Sequence, residues 1–334
     1  MSVWRLRSNT QRLAPVLIVV APGQGSQTPG MLTPWLNHGA AAEIVERASD
    51  VTGIDLKHMG TEADADTIRD TSIAQPLIVA AGLASLAVVQ DSLGLPITNS
   101  DFVAGHSVGE ITALAAAGVI SLDAAFELVA VRGRAMAEAA AAVETSMAAV
   151  LGGEREEVVT ALTARGLIAA NENGSKQIVA AGTREAIDEL VANAPAGTRV
   201  RPLAVAGAFH THFMASATDA VSAVAANVST QSAAVRILSN KDGTEVSDSA
   251  ELLARLVGQV SNPVRWDLCM ETMAAESVTG MIELFPGGTL TGIAKRALAG
   301  VELLPLTSLE DCEKVSEFVS QHRGRVASAT TENV

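Results

Sequence analysis

Short apolar runs recur along the chain, and longer stretches of helical character separate them. Residues 16–20, 102–104 and 280–285 form such runs, which are typical of strands buried in a parallel sheet. Residues 75–93 and 121–141 are predicted as helices. Because strands and helices alternate, the sequence predicts an α/β fold in which helices wrap a parallel sheet.

The pattern changes between about residues 147 and 205. Four strands and two helices are predicted there in the order β-α-β-β-α-β: residues 147–151, 155–165, 167–170, 177–181, 184–192 and 199–205. This order is the ferredoxin-like arrangement. We therefore expect a small ferredoxin-like subdomain, residues 143–206, inserted in a large α/β-hydrolase-like subdomain that holds the parallel sheet, residues 15–142 and 207–322. A cleft is expected between the two.

Both ends of the chain are predicted to be disordered. Residues 1–14 are basic and precede an apolar run, which is also the layout of a secretory signal peptide. We favour a disordered basic leader, because the apolar run continues directly into a glycine-rich loop at residues 22–27. Residues 323–334 form a polar tail that we expect to fray.

Composition argues against several classes of function. The 334 residues carry a formal net charge of −14, which disfavours nucleic acid or an anionic membrane as a partner. The longest nearly apolar stretch, residues 77–89, is shorter than the roughly 18 residues that a membrane span needs. Cys269 and Cys312 form neither a disulfide framework nor a metal-binding spacing. We therefore expect a cytoplasmic protein with free thiols and no bound metal.

Residues 105–109, Gly105-His106-Ser107-Val108-Gly109, match the pattern G-x-S-x-G between a predicted strand and a predicted helix. In this setting the pattern is typical of a nucleophile elbow, whose glycines permit a sharp, crowded turn that holds the serine hydroxyl clear of the sheet. The positive end of the helix lies behind that hydroxyl. Ser107 is therefore a candidate nucleophile, and a purely structural turn is the alternative.

Arg132 is a candidate for binding a carboxylate. Ser121 is a predicted N-cap, and at about 100° per residue the helix that follows places Arg132 at the edge of its apolar face, whereas Arg134 points away. A guanidinium at the edge of a core is costly unless it meets a carboxylate. Spacing alone leaves open whether that carboxylate belongs to a ligand or to an internal salt bridge.

Three further positions have both a functional and a structural interpretation. His210 follows the last strand of the predicted insertion and so returns the chain to the cleft, whereas His212 lies two residues further on. A lone histidine is more often just a partly buried polar group. Gln259 lies at a predicted helix end, where it caps the helix or reaches the site. The loop at residues 22–27 either turns its N–H groups into the cleft or forms a simple glycine turn.

Several motifs occur in order over most of the chain: residues 22–27, Gln75-Pro76, residues 105–110, Arg132, Asn171-x-Asn173, residues 207–210 and residues 259–264. With these motifs the chain resembles the malonyl-CoA:acyl-carrier-protein transacylases, the loading enzymes of type II fatty-acid synthesis. It is similar, more distantly, to the acyltransferase domains of polyketide synthases. The resemblance covers nearly the whole chain apart from its two tails.

The resemblance implies catalytic roles. Ser107 is the expected nucleophile and His210 its general base, in a dyad that needs no aspartate. Gln259 is expected to orient His210 through its carbonyl group. Arg132 is expected to bind the malonyl carboxylate, because a planar guanidinium can make two charge-assisted bonds to it.

The resemblance also implies how the thioester is recognised. The backbone N–H groups of Gln24 and Val108 are expected to form the oxyanion hole. Asn173, Phe209 and His106 are expected to contact the substrate. In the family, a glutamine after the serine and a Tyr-Ala-Ser-His segment accompany methylmalonyl substrates, so Val108 and Phe209 favour malonyl here.

The implied reaction is a double displacement. Malonyl-CoA acylates the serine, and the phosphopantetheine thiol of acyl carrier protein then takes the malonyl group. No bound cofactor is expected, since the coenzyme A thioester is a substrate, and a monomer is expected. Acyl carrier protein is itself acidic, so a local basic patch is required. The candidates for this patch are Lys176, Arg184, Arg199, Arg201, Lys295 and Arg296.

Three alternative functions remain open. A discrete acyltransferase of a polyketide synthase or of a malonate decarboxylase shares the chemistry and differs in its carrier. A serine esterase of the α/β-hydrolase type needs an acidic third residue and has no use for Arg132. A non-catalytic scaffold has no use for an intact pair of Ser107 and His210.

Overall fold

The structure, a computed structural model, describes residues 14–174, 176–205 and 207–323. The predicted leader and tail, residues 1–14 and 323–334, therefore lie outside the described residues except for Ala14 and Arg323. The described residues form ten strands: β1 (Leu17–Ala21), β2 (Phe102–Gly105), β3 (Thr145–Gly152), β4 (Ile168–Glu172), β5 (Gln177–Thr183), β6 (Thr198–Pro202), β7 (Arg236–Leu238), β8 (Val264–Arg265), β9 (Gly280–Glu283) and β10 (Glu302–Pro305).

Thirteen α-helices accompany the strands within the same described ranges. They are α1 (Gly39–Thr52), α2 (Leu56–Thr61), α3 (Thr71–Leu93), α4 (Gly109–Ala116), α5 (Leu122–Ala142), α6 (Arg155–Thr163), α7 (Arg184–Ala192), α8 (Ala215–Ala225), α9 (Ser249–Gln259), α10 (Trp266–Ala275), α11 (Thr289–Ala297), α12 (Leu309–Glu313) and α13 (Val315–His322).

Five strands form a parallel sheet in the order β10-β9-β1-β2-β7. All five side chains of its central strand β1 are buried. Leu17, Val19 and Ala21 belong to a hydrophobic cluster with α1, α3 and α5, whereas Ile18 and Val20 belong to another with α10 and α11. Alternate side chains of a strand point to opposite faces, so helices cover both faces of the sheet. The predicted α/β class is confirmed.

The second sheet has the order β6-β3-β5-β4-β8. Its first four strands are antiparallel neighbours, and α6 and α7 connect β3 to β4 and β5 to β6. The fifth strand, β8, pairs with β4 in parallel and comes from the C-terminal part of the chain. The second sheet is therefore not confined to residues 143–206.

Helix α3 is long and apolar enough to cross a membrane. It has 23 residues, and its most apolar 18-residue stretch has a mean hydropathy of 1.9. The sequence argument that no segment reaches this length was therefore too strict, because the helix begins at Thr71, where Asp70 caps it by accepting a bond from Ser72 N–H at 2.8 Å. In the structure 78% of the apolar stretch is buried within the protein, which is typical of a core helix.

Candidate active site

Ser107 stands at a sharp turn between β2 and α4. Its φ of 53° lies in the left-handed region, which is costly for a residue with a side chain. The flanking glycines permit the turn. A Cβ at Gly105 would lie 2.0 Å from the carbonyl carbon of Gly109, and a Cβ at Gly109 would lie 2.3 Å from Ala21 O on β1. The motif thus forms the strand–turn–helix elbow that the sequence predicts.

His210 faces the serine as a neutral base. Its Nε2 lies 2.7 Å from Ser107 Oγ, and its Nδ1–H donates to the carbonyl oxygen of Gln259 at 2.8 Å. A carbonyl can only accept, so this bond leaves Nε2 free to accept from the serine hydroxyl. Burial and the nearby charge of Arg132 lower the pKa of His210 to about 3, against the effect of the Gln259 carbonyl. The imidazole is therefore unprotonated at neutral pH and available as a general base.

Arg132 is fully buried, and its hydrogen-bond partners are neutral. Nη1 donates to Gln75 Oε1 at 2.6 Å, and Nη2 donates to Gln259 Oε1 at 3.0 Å and to Ser107 Oγ at 3.3 Å. Nε has no partner among the residues that the structure describes. The helical phase correctly predicts that Arg132 faces the interior. Spacing left an internal salt bridge open, but none of these contacts is to a carboxylate. Burial lowers the pKa of Arg132 to about 10, so the group stays charged at neutral pH.

The side chain of Gln259 connects Arg132 to a buried polar network. Its Nε2 donates to Glu110 Oε2 at 2.7 Å and to Asn240 Oδ1 at 3.0 Å. The same Asn240 oxygen accepts from Ser107 N–H at 2.8 Å. Gln259 does lie at the end of α9, but its contacts reach the site rather than merely capping the helix.

Two further residues belong to the site: Asn240, which no sequence motif includes, and Glu110, the last residue of the motif at 105–110, to which the sequence assigned no role. Asn240 N–H donates to Glu110 Oε1 at 2.6 Å, and Asn240 Nδ2 donates to Gly105 O at 2.8 Å, so the pair supports the elbow from behind. Glu110 directly follows the G-x-S-x-G motif. Asn240 follows β7, which neighbours β2, and a polar residue just beyond the carboxyl end of a parallel strand was the signal that could have found it.

A cavity of about 260 Å³ adjoins Ser107 and is bounded by the loops that follow β1 and β2 of the parallel sheet and by strands of the second sheet. Its lining residues are Gly23, Gln24, Gln75, His106, Ser107, Met136, Met147, Ala149, Asn171, Asn173, Gln177, Val179, Leu203, Val205, Phe209, His210, Thr289, Leu290 and Ile293. Four of the predicted binding residues, Gln24, His106, Asn173 and Phe209, are among them. Arg132 is not, because it lies behind Gln75 and Ser107.

Two backbone donors adjoin the elbow as the oxyanion interpretation requires. A Cβ at Gly23 would lie 2.8 Å from His106 O, so the loop after β1 packs closely on the elbow and brings Gln24 beside it. The N–H groups of Gln24 and Val108 donate to no acceptor within the described part of the chain. His106 turns away from the dyad and donates from Nε2 to Asn173 Oδ1 at 2.9 Å. Burial lowers the pKa of His106, which keeps it neutral.

Comparison with known proteins agrees with this geometry. The family described as the acyl transferase domain matches residues 18–329. The chain belongs to the acyl transferase family. It is 47% identical over 304 residues to the malonyl CoA-acyl carrier protein transacylase of Mycobacterium tuberculosis, which covers 91% of this chain and 100% of that protein. It is 32% identical over 300 residues to the protein of that name from Bacillus subtilis, covering 87% and 93% of the two chains.

Solved acyl transferase structures have the same fold. The crystal structure of MCAT from Mycobacterium tuberculosis superimposes with a TM-score of 0.87 at 46% identity, covering 90% of this chain and 99% of that chain. A malonyl-transacylase in complex with a type II PKS acyl-carrier protein superimposes with a TM-score of 0.84 at 30% identity, with the same coverage of 90% and 99%.

The choice of base can be tested without reference to any substrate. We expect His210→Ala to slow covalent labelling of Ser107 by a neutral fluorophosphonate by about 10²-fold or more, because the base is lost. His212→Ala is the matched control, and it should change the labelling rate by less than about twofold, since His212 is exposed and packs on Phe213. Labelling is followed by intact mass over time. Equal losses in the two variants would show that His210 is not the base.

Proposed function

We propose that this acyl transferase moves the malonyl group of malonyl-CoA to the phosphopantetheine thiol of an acyl carrier protein and so supplies fatty-acid synthesis. The observation that carries the proposal is the environment of one atom. Ser107 Oγ lies 2.7 Å from the base His210 and 3.3 Å from the cation Arg132, which suits an acyl group that ends in a carboxylate. The names of the relatives, malonyl CoA-acyl carrier protein transacylases, support the same substrate pair.

The reaction is a double displacement at Ser107. His210 Nε2 takes the serine proton as Oγ attacks the thioester carbonyl, and the resulting oxyanion accepts bonds from the N–H groups of Gln24 and Val108. Coenzyme A leaves as the thiol after His210 returns the proton. His210 then deprotonates the carrier thiol, whose sulfur attacks malonyl-Ser107, and the serine is restored. These proposed steps require no cofactor, since His210 carries out each proton transfer.

Arg132 makes the enzyme selective for malonyl. An acyl group on Ser107 Oγ begins 3.3 Å from Nη2, so a carboxylate two carbons further along the group is within reach of the guanidinium. A charge-assisted bond of this kind is worth about 1.5–3 kcal/mol. Acetyl-CoA has no carboxylate, so it leaves Arg132 without an anionic partner.

The acyl carrier protein docks at the mouth of the cavity. Lys295 and Arg296 are exposed at the end of α11, and Arg296 Nη2 donates to Gln177 Oε1 at 3.2 Å. Gln177 lines the cavity, so Arg296 stands at its rim, and Lys295 is its neighbour on α11. Among the other basic candidates, Lys176 and Arg184 already pair with glutamates, at 2.6 Å and 3.7 Å, whereas Arg199 and Arg201 lie exposed on β6.

We assign the parallel sheet to one subdomain and strands β3 to β6 of the second sheet to another, and β8 completes the second sheet from the large subdomain. The parallel sheet with its helices is the large α/β-hydrolase-like subdomain, residues 15–142 and 207–322, and residues 143–206 form the small one. The antiparallel order β6-β3-β5-β4 with helices α6 and α7 supports the ferredoxin-like description. We further propose that the enzyme acts as a monomer in the cytoplasm, which fits its two free buried cysteines.

A polyketide carrier is the second candidate partner. One relative was solved in complex with a type II PKS acyl-carrier protein, and the chemistry at the serine is the same for either carrier. Transfer rates to a panel of fatty-acid and polyketide carrier proteins distinguish the two pathways.

The covalent intermediate is the direct test of the proposed reaction. Mixing the protein with malonyl-CoA should add one malonyl group to the intact mass, and Ser107→Ala should abolish the addition because the nucleophile is gone. Carrier protein added afterwards should remove the group from the wild type. A wild-type protein that never acquires the malonyl mass contradicts the double displacement.

Selectivity tests the role of Arg132. We expect Arg132→Ala to lower kcat/KM for malonyl-CoA by about 100-fold or more, since one or two charge-assisted bonds of about 1.5–3 kcal/mol are lost. Acetyl-CoA should be used as well as before or better. Arg134→Ala, an exposed change on the same helix, is the control. If both thioesters lose activity together and the protein melts at much lower temperature, Arg132 has a structural role only.

The docking surface can be separated from the chemistry. The double variant Lys295→Glu/Arg296→Glu should raise KM for the carrier about tenfold or more, because reversed charges repel an acidic partner. Its rate of malonyl-enzyme formation from malonyl-CoA should stay near that of the wild type. Arg184→Glu, a single charge reversal at a cation that already pairs with Glu144, serves as the control. A loss confined to the first half-reaction would assign the two cations to coenzyme A instead.

A further inference from the structure

We propose that Glu110 is a positioning residue for the substrate carboxylate: it fixes the side-chain amide of Gln259 with its oxygen towards Arg132. The inference rests on the proposed malonyl transfer and deepens it. It explains how a buried guanidinium is held beside Ser107 while its charge remains available to a ligand.

The orientation of the Gln259 amide follows from its neighbours. Its Nε2 faces two acceptors, Glu110 Oε2 at 2.7 Å and Asn240 Oδ1 at 3.0 Å, and its Oε1 faces Arg132 Nη2 at 3.0 Å. A reversed amide would place a donor against the guanidinium and an acceptor against the carboxylate. Asn240 is itself fixed, because its Oδ1 accepts from Ser107 N–H and its Nδ2 donates to a backbone carbonyl. One amide orientation therefore satisfies the network.

Glu110 serves this network as a pure acceptor. One oxygen accepts from Asn240 N–H at 2.6 Å and the other from Gln259 Nε2 at 2.7 Å. Burial raises the pKa of Glu110 to about 7, and the bond from Asn240 and the charges of Arg132 and Arg255 oppose that rise. The charge of Asp242 also raises the pKa of the Glu110 carboxyl. Above pH 7 the ionised, non-donating form predominates.

Gln259 separates the Glu110 carboxylate from the Arg132 guanidinium, which leaves Arg132 able to bind the carboxylate of the substrate. Glu110 supplies negative charge near Arg132, which lessens the cost of burying a cation. Because the amide of Gln259 lies between the two charged groups, the Glu110 carboxylate makes no direct contact with the Arg132 guanidinium. A carboxylate in direct contact with Arg132 would instead compete with the carboxylate of the substrate.

Single-turnover kinetics of the full-length chain above pH 7 test the role of Glu110. In Glu110→Gln the new amide is expected to keep its oxygen on Asn240 N–H, whose backbone position is fixed, and to turn its NH₂ group towards Gln259. The Gln259 oxygen is then drawn to that NH₂ group and away from Arg132, and only the bond from Gln259 Nε2 to Asn240 Oδ1 opposes the change. We expect the malonyl-CoA concentration that half-saturates malonyl-Ser107 formation to rise about tenfold or more, equivalent to about 1.4 kcal/mol.

The limiting rate of the same step should change by less than about threefold, which corresponds to under ~0.7 kcal/mol. His210 is held by the backbone carbonyl of Gln259, and the amide reversal leaves that bond in place. A fall in the limiting rate with no change in half-saturation would overturn the proposal. The matched control is Glu283→Gln, another buried glutamate that accepts only from N–H and O–H donors, and it should leave half-saturation unchanged.

The reciprocal variant Glu110→Gln/Gln259→Glu separates positioning from simple structural support. It again places a donor opposite an acceptor between the two positions, but a carboxylate at position 259 also faces Asn240 Oδ1, which can only accept. Its melting temperature should therefore recover only part of the way towards that of the wild type. It also puts a carboxylate directly on Arg132, so half-saturation by malonyl-CoA should stay raised. Recovery of both stability and malonyl affinity would refute the proposal.

Malonyl-Ser107 formation distinguishes a failure of the proposed function from a failure of the role of Glu110. If the wild-type protein forms no malonyl-Ser107, the proposed function itself is wrong. If the wild type forms it and Glu110→Gln forms it with unchanged half-saturation and rate, only the role of Glu110 is wrong.

Discussion

A guanidinium buried without a contacting carboxylate is the constraint on which the arrangement of the site depends. Moving such a cation out of water costs on the order of several kcal/mol unless other groups replace its hydration. Arg132 recovers part of that cost from the oxygens of Gln75, Gln259 and Ser107. These oxygens come from α3, from the end of α9 and from the elbow. Arg132, which lies on α5, therefore connects α3, α9 and the elbow through one side chain.

The parallel sheet explains why the other groups meet at the same place. Ala21 at the end of β1 lies beside Gly105 at the end of β2, and β7 flanks β2 on its other side. The loops that follow these three strands carry Gln24, Ser107 and Asn240. Because parallel strands all end at one edge, residues far apart in sequence converge there. The second sheet contributes the opposite wall of the cavity.

Features encoded by neighbouring residues could be predicted from the sequence, and features that depend on distant pairings could not. The elbow at residues 105–109 and the inward phase of Arg132 follow from local spacing. Two of the three partners of Arg132 are 57 and 127 residues away, so spacing could not choose between a ligand and a salt bridge. Asn240 belongs to no motif, and the two residues of β8 are too few to show a period. The roles of Gln24 and Gln259 came from family resemblance rather than from pattern.

The neutral carbonyl behind His210 follows from the same constraint as the rest of the site. In a serine triad a carboxylate accepts the Nδ1–H bond, whereas here the carbonyl of Gln259 accepts it at 2.8 Å. A carboxylate at that point would raise the basicity of His210, but it would also lie close to Arg132, whose Nη2 already contacts the same residue. In the resulting ion pair, Arg132 would no longer be available to the carboxylate of the substrate. A carbonyl fixes the tautomer and adds no charge, so a base and an available cation can share one nucleophile, and the acyl group brings the carboxylate that completes the pair.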